Sequence, residues 1–103
     1  MITIKIGTDE RSITDYDPHW IAQMINRRKK DGQKSICVKV AINEDNCTLT
    51  LSSGGCPKFP GTNWKPSNLQ LKLIRLWEKH HLNEVDISPG NLISFLKQLP
   101  SYL

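Results

Sequence analysis

The sequence predicts an α+β fold, a two-layer sandwich in which three helices cover one face of a three-stranded sheet. Apolar and polar residues alternate in three short stretches, which is the periodicity of strands with one buried face. Three other stretches combine a helix-start signal with apolar residues at helical spacing. A chain of 103 residues can build one hydrophobic core but not two. Residues 1–103 are therefore predicted to form a single α+β domain with the element order β-α-β-β-α-α.

The strands follow from alternation alone. Residues 2–6 form the first strand, and Ser35 to Ile42 with Cys47 to Ser52 form a hairpin around a turn at 43–46, which places Ile42 opposite Cys47. Residues 8–16 are polar with one isolated isoleucine and are predicted to be a loop. The order of the strands is left open by the sequence. We favour the third predicted strand in the middle of a split β-α-β arrangement, because it gives the first helix room to cross.

The helices carry local start and stop signals. The first predicted helix, about Pro18 to Asp31, follows an N-cap at Asp17. The second begins behind a capping box made by Ser67 and Gln70, and the third runs from Pro89 until Pro100 stops it. The residues predicted to be buried between helices and sheet are Ile4, Trp20, Ile21, Val38, Val40, Leu49, Leu51, Leu73, Trp77 and Leu96.

The net charge of +4 is concentrated in two basic clusters. The first is a run at the end of the first helix, and the second is a stripe on the outer side of the second helix. Such clusters bind phosphates without reading sequence, although cations in a last helical turn are also favoured by the helix dipole alone. The nucleic-acid-binding candidates are Arg27, Arg28, Lys29, Lys30, Lys72, Arg75 and Lys79.

The connection between the hairpin and the second helix is long and rich in glycine and proline. It interleaves aromatic residues with lysines, a combination that can anchor a protein partner or stack on bases. The alternative is that these aromatic residues close off one end of the core. The candidate partner-binding residues are Cys56, Lys58, Phe59, Trp64 and Lys65.

Enzyme chemistry is poorly supported by the sequence. Cys56 lies in a Gly-Gly-Cys-Pro turn that could expose a thiol, but no base is set to activate it. Cys47, Cys56, His80 and His81 lack the paired short spacings of structural zinc sites. We therefore predict no catalytic residue, no metal and no cofactor.

The expected location is the cytoplasm. Residues 1–6 alternate as a strand and lack the pattern of a secretory signal, and no apolar stretch approaches the length needed to span a membrane. Cys37 and Cys47 fall on opposite faces of the predicted hairpin, which makes a disulfide between them geometrically poor. Reduced thiols are therefore expected.

These observations predict a small non-enzymatic binding or regulatory module that acts through a protein partner. The alternative is a sequence-independent nucleic-acid-binding protein that uses the two basic clusters. A small thiol enzyme centred on Cys56 is the third hypothesis. Salt-dependent retention on DNA or RNA separates the first two, and thiol reactivity near neutral pH separates the third.

Overall fold

A computed structural model describes residues 1–15, 17–33, 36–54, 56 and 65–103. Within these ranges the chain is α+β, with one antiparallel sheet of four strands and three α-helices. No helix in the described ranges is long and apolar enough to cross a membrane. The elements are β1 (Ile2–Ile6), β2 (Asp9–Ser12), α1 (Pro18–Lys30), β3 (Val38–Glu44), β4 (Cys47–Ser52), α2 (Asn68–Lys79), α3 (Pro89–Gln98) and a final 3₁₀ turn (Leu99–Ser101).

An additional strand, β2, lies in the segment 8–16 that the sequence predicts to be a loop. It pairs antiparallel with β1, and Ile6 lies opposite Asp9 across a two-residue turn. Gly7 in this turn has φ +64°, a conformation that glycine adopts at no steric cost. β2 is a charged edge strand held by backbone pairing, so it has no apolar alternation that would have revealed it.

The strand order β2-β1-β3-β4 differs from the predicted order. The strand from Cys47 to Ser52, which we favoured for the middle, is β4 and lies at an edge. β1 pairs antiparallel with both β2 and β3, because β2 reverses the chain before α1 begins. β2 and β3 are therefore parallel to each other on either side of β1. A split β-α-β unit is present, but it consists of β2, α1 and β3.

The hairpin of β3 and β4 has a tighter turn than predicted. Glu44, rather than Ile42, lies opposite Cys47, so the turn contains residues 45–46 instead of 43–46. The observed register is shifted from the predicted one by two residues. An even shift leaves every side chain on the same face of the sheet. The predicted register is thus wrong, while the predicted buried face is confirmed.

The three predicted helices are confirmed, and the predicted caps form at the starts of α1 and α2. At the start of α3, Ser88 takes the N-cap position but its side chain makes no cap hydrogen bond. The Asp17 side chain accepts a hydrogen bond of 2.7 Å from the Trp20 backbone N–H at the start of α1. At the start of α2, the Ser67 hydroxyl accepts from the Gln70 backbone N–H at 3.2 Å and the Gln70 side-chain oxygen accepts from the Ser67 backbone N–H at 2.8 Å, which is the predicted capping box. Beyond the end of α1, Gly32 adopts φ +82° in the left-handed cap.

The helices cover one face of the sheet. α1 packs against β1, α2 against β4, and α3 against α1. Trp77 of α2 meets Phe95 of α3 edge to face, with ring centroids 5.2 Å apart. The predicted core is confirmed, because each of these residues is buried: Ile4, Trp20, Ile21, Val38, Val40, Leu49, Leu51, Leu73, Trp77 and Leu96.

A disulfide joins Cys37 to Cys56, so the prediction of reduced thiols is wrong for these two residues. After β4 the chain turns back toward the start of β3. There the buried Ser53 hydroxyl donates a hydrogen bond of 2.7 Å to the Ile36 carbonyl oxygen. This return brings Cys56 to Cys37, a pairing that a comparison of Cys37 with its hairpin neighbour Cys47 does not reveal.

Helix α2 lies along the outer edge of β4 and hydrogen-bonds to it. The Gln70 side-chain amide donates to the Thr48 carbonyl oxygen at 2.6 Å, and the Trp77 indole N–H donates to the Ser52 carbonyl oxygen at 3.3 Å. The Ser53 backbone N–H donates to β3, so Leu51, Leu49 and Cys47, which precede it at two-residue intervals, also direct their backbone groups toward β3. The carbonyls of Thr48 and Ser52 lie between those positions and therefore point away from β3. Two side chains of α2 thereby fix the helix on the sheet.

Candidate binding groove on helix α2

An open groove of about 400 Å³ runs along the outer side of α2. Three cationic residues that the sequence predicts to form a stripe line it, and all three are exposed. Leu76, which is buried, and Tyr102, which follows the 3₁₀ turn, line it as well. The cationic residues are Lys72, Arg75 and Lys79.

The geometry of α2 explains why these cations share one side. Their spacings of three and four residues keep them within one stripe of an α-helix, and the stripe extends about 10 Å along the axis. Leu73 and Trp77 project from the other side into the core, where they are 0% and 2% exposed. The buried side of α2 therefore holds the cationic side toward solvent.

The three cations that line the groove form no ion pair with an acidic side chain of the described residues. All ten Asp and Glu residues of the chain lie in the described ranges. Within those ranges, the ion pairs join Met1 to Glu44, Arg28 to Asp9, Lys29 to Asp86 and His81 to Glu84. None involves Lys72, Arg75 or Lys79.

Arg28 of the first cluster has a structural role. Its side chain is 20% exposed, and one guanidinium nitrogen donates to both the Ile6 carbonyl oxygen and an Asp9 carboxylate oxygen, each at 3.3 Å. The guanidinium also fills the space beside Gly7, where an added Cβ would collide with its central carbon. Arg28 thus ties α1 to the β1–β2 hairpin, and its charge is already engaged by Asp9.

The rest of the first cluster is only partly available. Lys29 pairs with Asp86 at 3.1 Å, while Arg27 and Lys30 are exposed. α1 packs over β1 and α2 over β4, with β3 between those strands. The segment that follows α2 carries Glu84 and Asp86 and reaches α1 through the Lys29 contact. The two clusters therefore lie on different helices. The acidic segment that follows α2 contacts the first cluster through the Asp86–Lys29 pair.

The loop candidates are mostly outside the described residues. This applies to Lys58, Phe59 and Trp64. Cys56 is described and is 6% exposed, with its sulfur in the disulfide to Cys37. A disulfide sulfur is not a thiolate nucleophile, so this form of the protein does not support the thiol-enzyme hypothesis. Lys65 is exposed, and none of the contacts of the described residues joins it to Cys56.

Cysteine and histidine chemistry is limited elsewhere as well. Among the described residues there is no cluster of three or more His, Cys, Asp or Glu side chains that could hold a metal ion. Burial raises the pKa of the Cys47 thiol, which keeps it protonated and unreactive at neutral pH. His81 adopts φ +57° at the end of α2 and contacts Glu84 at 3.1 Å.

Tyr102 is the residue of this site that sequence reasoning missed. It lies 23 positions beyond Lys79 and has no periodic relation to α2. Its place in the groove follows from the packing of α3, which no local pattern reports.

The chain matches no protein-family model, no curated protein and no solved structure.

Proposed function

We propose that this protein is a non-enzymatic binding module that holds the phosphate backbone of nucleic acid in the groove on α2, without reading sequence. The observation that carries the proposal is the set of three exposed, unpaired cations, Lys72, Arg75 and Lys79, along one groove. In the described ranges, which contain every acidic side chain, no Asp or Glu forms an ion pair with them.

A polymer of phosphates fits this arrangement better than a single small anion. The cations are distributed along about 10 Å of helix instead of converging on one point. Each strand of a B-form duplex carries one phosphate per about 3.4 Å measured along the duplex axis, so about three phosphates of one strand fall within an axial length equal to that of the stripe. Lysine supplies a point charge to a phosphate, and arginine supplies a planar fork that can bind two oxygens.

The open face of the sheet is a weaker candidate surface. Its strand residues include Lys5 and Lys39, which lie directly opposite each other, together with Thr3, Ala41 and Thr50. These strand residues are small or cationic and supply no aromatic ring on which bases could stack. The groove on α2 combines cations with an aromatic ring and is therefore the better candidate.

The test is a binding titration of the full chain against fluorescently labelled single-stranded oligonucleotide across a salt series. Three phosphate contacts predict a log–log slope of about −2 on a single strand. The triple variant Lys72→Glu, Arg75→Glu, Lys79→Glu should bind at least about a hundredfold more weakly at low salt, because it reverses the charge of every cation in the groove. All three residues are exposed, so the variant should unfold at nearly the same denaturant concentration as wild type.

The matched control reverses three cations of the first cluster, through Arg27→Glu, Lys29→Glu and Lys30→Glu. It changes net charge by the same amount but leaves the groove intact, so we expect less than about a tenfold loss, from long-range charge alone. Equal losses for the two triple variants would contradict binding in the groove. A wild-type protein that binds no oligonucleotide at low salt would contradict the whole proposal.

The protein-partner hypothesis stays a prediction. Its candidate residues are Cys56, Lys58, Phe59, Trp64 and Lys65, of which Cys56 is buried in the disulfide. If the chain fails to bind nucleic acid, alanine substitution of the exposed Lys65 and of the loop aromatic residues tests that hypothesis next.

Location in the cytoplasm is also a prediction. The Cys37–Cys56 disulfide weighs against it, because disulfides persist in oxidising compartments and are rare in the cytosol. Alkylation of the protein immediately after acid quenching of its native cells measures the redox state of its cysteines directly. Three labelled cysteines would support the cytoplasm, and one would support an oxidising compartment.

A further inference from the structure

Tyr102 differs from the other aromatic residues near α2 in its exposure. Trp77 and Phe95 are buried at 2% and 0%, whereas Tyr102 retains 37% of its surface. It lies in the groove with Lys72, Arg75 and Lys79. An exposed ring among cations is the combination with which proteins hold single-stranded nucleic acid, because bases stack on the ring while phosphates follow the charge.

The backbone at Tyr102 is fixed by the structure before it. The 3₁₀ turn begins at Leu99, which is fully buried, and the Tyr102 backbone N–H donates to the Leu99 carbonyl oxygen at 3.0 Å. The Ser101 hydroxyl donates to the Gln98 carbonyl oxygen at 2.6 Å, which extends the ordered end of α3. Tyr102 is therefore presented from an anchored turn, and a base that stacks on it does not have to order the backbone.

We propose that the ligand of the groove is single-stranded nucleic acid and that Tyr102 stacks on one of its bases. This inference rests on the proposed function and adds a preference to it. In a duplex the base faces are covered by neighbouring base pairs, so Tyr102 can contribute little there. In a single strand the faces are open, and Leu76 supplies an apolar floor beside the ring. The cations alone do not distinguish the two forms, whereas Tyr102 does.

The test compares wild type, Tyr102→Ala and Tyr102→Phe by fluorescence anisotropy at one fixed low salt concentration. Three labelled ligands of equal length are used: a single-stranded oligothymidylate of roughly 10 nucleotides, the corresponding duplex, and a single strand of abasic sites. For the oligothymidylate, Tyr102→Ala should weaken binding about 5–150-fold, the range of a lost base–aromatic stack. Tyr102→Phe keeps the ring and should stay within about twofold of wild type.

The duplex and the abasic strand separate stacking from charge. Neither offers an open base face, so Tyr102→Ala should bind both within about twofold of wild type. Loss of binding to all three ligands would overturn the proposal, because the tyrosine would then act through the fold or through phosphate contacts. An unchanged affinity of Tyr102→Ala for oligothymidylate would also overturn it.

The result for wild type distinguishes this inference from the proposed function. If the wild type binds none of the three ligands, the proposed function itself is wrong. Salt-dependent binding of wild type to all three, with no effect of Tyr102→Ala, leaves the proposed function standing and rejects only the single-strand preference. Unfolding midpoints of the two variants show whether the fold is kept, and Tyr102→Leu, which keeps apolar bulk without a ring, should behave like Tyr102→Ala on every ligand.

Discussion

The C-terminal end of α1 and the outer side of α2 carry similar charge but differ in what surrounds that charge. At the end of α1, Arg28 and Lys29 meet Asp9 and Asp86. On α2, none of the cations has an acidic partner among the described residues, which include every Asp and Glu. The first cluster contributes to the fold through these contacts, whereas the cations of the second make no ion pair and carry the binding proposal.

The difference shows that a basic run is less informative than the position of the acids around it. The run 27–30 is the densest concentration of charge in the sequence, yet the folded chain brings acids to it from β2 and from the segment after α2. The stripe on α2 is sparser. Its nearest acid in sequence, Glu78, makes no ion pair with it in the described structure.

The largest expected effect tests what holds α2 in place. Trp77→Ala should destabilise the domain by about 3–5 kcal/mol, because the ring is 2% exposed and packs against Phe95. Arg75→Ala, from the solvent side of the same helix, should change stability by no more than about 0.5 kcal/mol. Urea denaturation measures both.

If Trp77→Ala does not fold, Trp77→Phe, which loses the indole hydrogen bond to Ser52, should still cost about 1–2 kcal/mol. A loss below about 0.5 kcal/mol in both Trp77 variants would mean that α2 does not depend on its buried side.

The disulfide tests whether the groove on α2 depends on the covalent link between Cys37 and Cys56. Cys37 and Cys56 are 19 positions apart, and the closed loop predicts a loss of about 3 kcal/mol when both are replaced by serine. The bond lies beside the β1–β3 end of the sheet, where the Gly7 backbone N–H donates to the Cys37 carbonyl oxygen. We expect the folded double variant to bind oligonucleotide with wild-type affinity. Denaturation with and without reductant gives the control, since reductant should lower the free energy of unfolding of the wild type but not of the double variant. Loss of affinity in the folded variant would show that the groove depends on the disulfide.

Arg28 tests the structural role of the first cluster directly. Arg28→Ala should cost about 1–2 kcal/mol, because it removes the hydrogen bond to Ile6 and the packing of the guanidinium over Gly7. Its exposed neighbour provides the matched control, and Arg27→Ala should stay within about 0.5 kcal/mol of wild type. Equal unfolding midpoints for the two variants would contradict the assignment of Arg28 to the fold.

The smallest effect concerns the end of α2. His81 adopts φ +57°, a conformation that disfavours residues with a Cβ. His81→Gly relieves this strain and loses the exposed contact with Glu84, and the net result should be a stabilisation of about 0.5 kcal/mol. His81→Ala keeps the strain and loses the contact, and it should not stabilise. Thermal unfolding of the two variants measures the difference. A lower midpoint for the glycine variant than for the alanine variant would contradict the expected relief of strain.

Local signals in the sequence predict the helices well. Asp17 marks the start of α1, and Ser67 with Gln70 marks the start of α2, because a cap depends only on residues within one turn. The alternation in β1, β3 and β4 predicts their buried face for the same reason. β2 and the strand order depend on pairing between distant segments, which the polar residues of β2 do not signal.

The groove was predictable in part. Helical spacing alone places Lys72, Arg75 and Lys79 on one stripe. Tyr102 and the neutralisation of Arg28 depend on tertiary contacts, because Asp9 reaches Arg28 from a strand 19 positions earlier. Charge patterns therefore identify candidate surfaces, and the fold decides which of them stays charged.

The position of α2 has a consequence for self-association. β4 is an edge strand, and two of its outward carbonyls are satisfied by Gln70 and Trp77. When α2 detaches, β4 presents free backbone groups and the apolar residues Leu49 and Leu51, which together form a template for strand addition and aggregation. A ligand that binds only the docked helix shifts the population toward the closed edge by mass action. Under the proposed function, the cationic face of α2 and the face that covers the edge of β4 are thus thermodynamically linked.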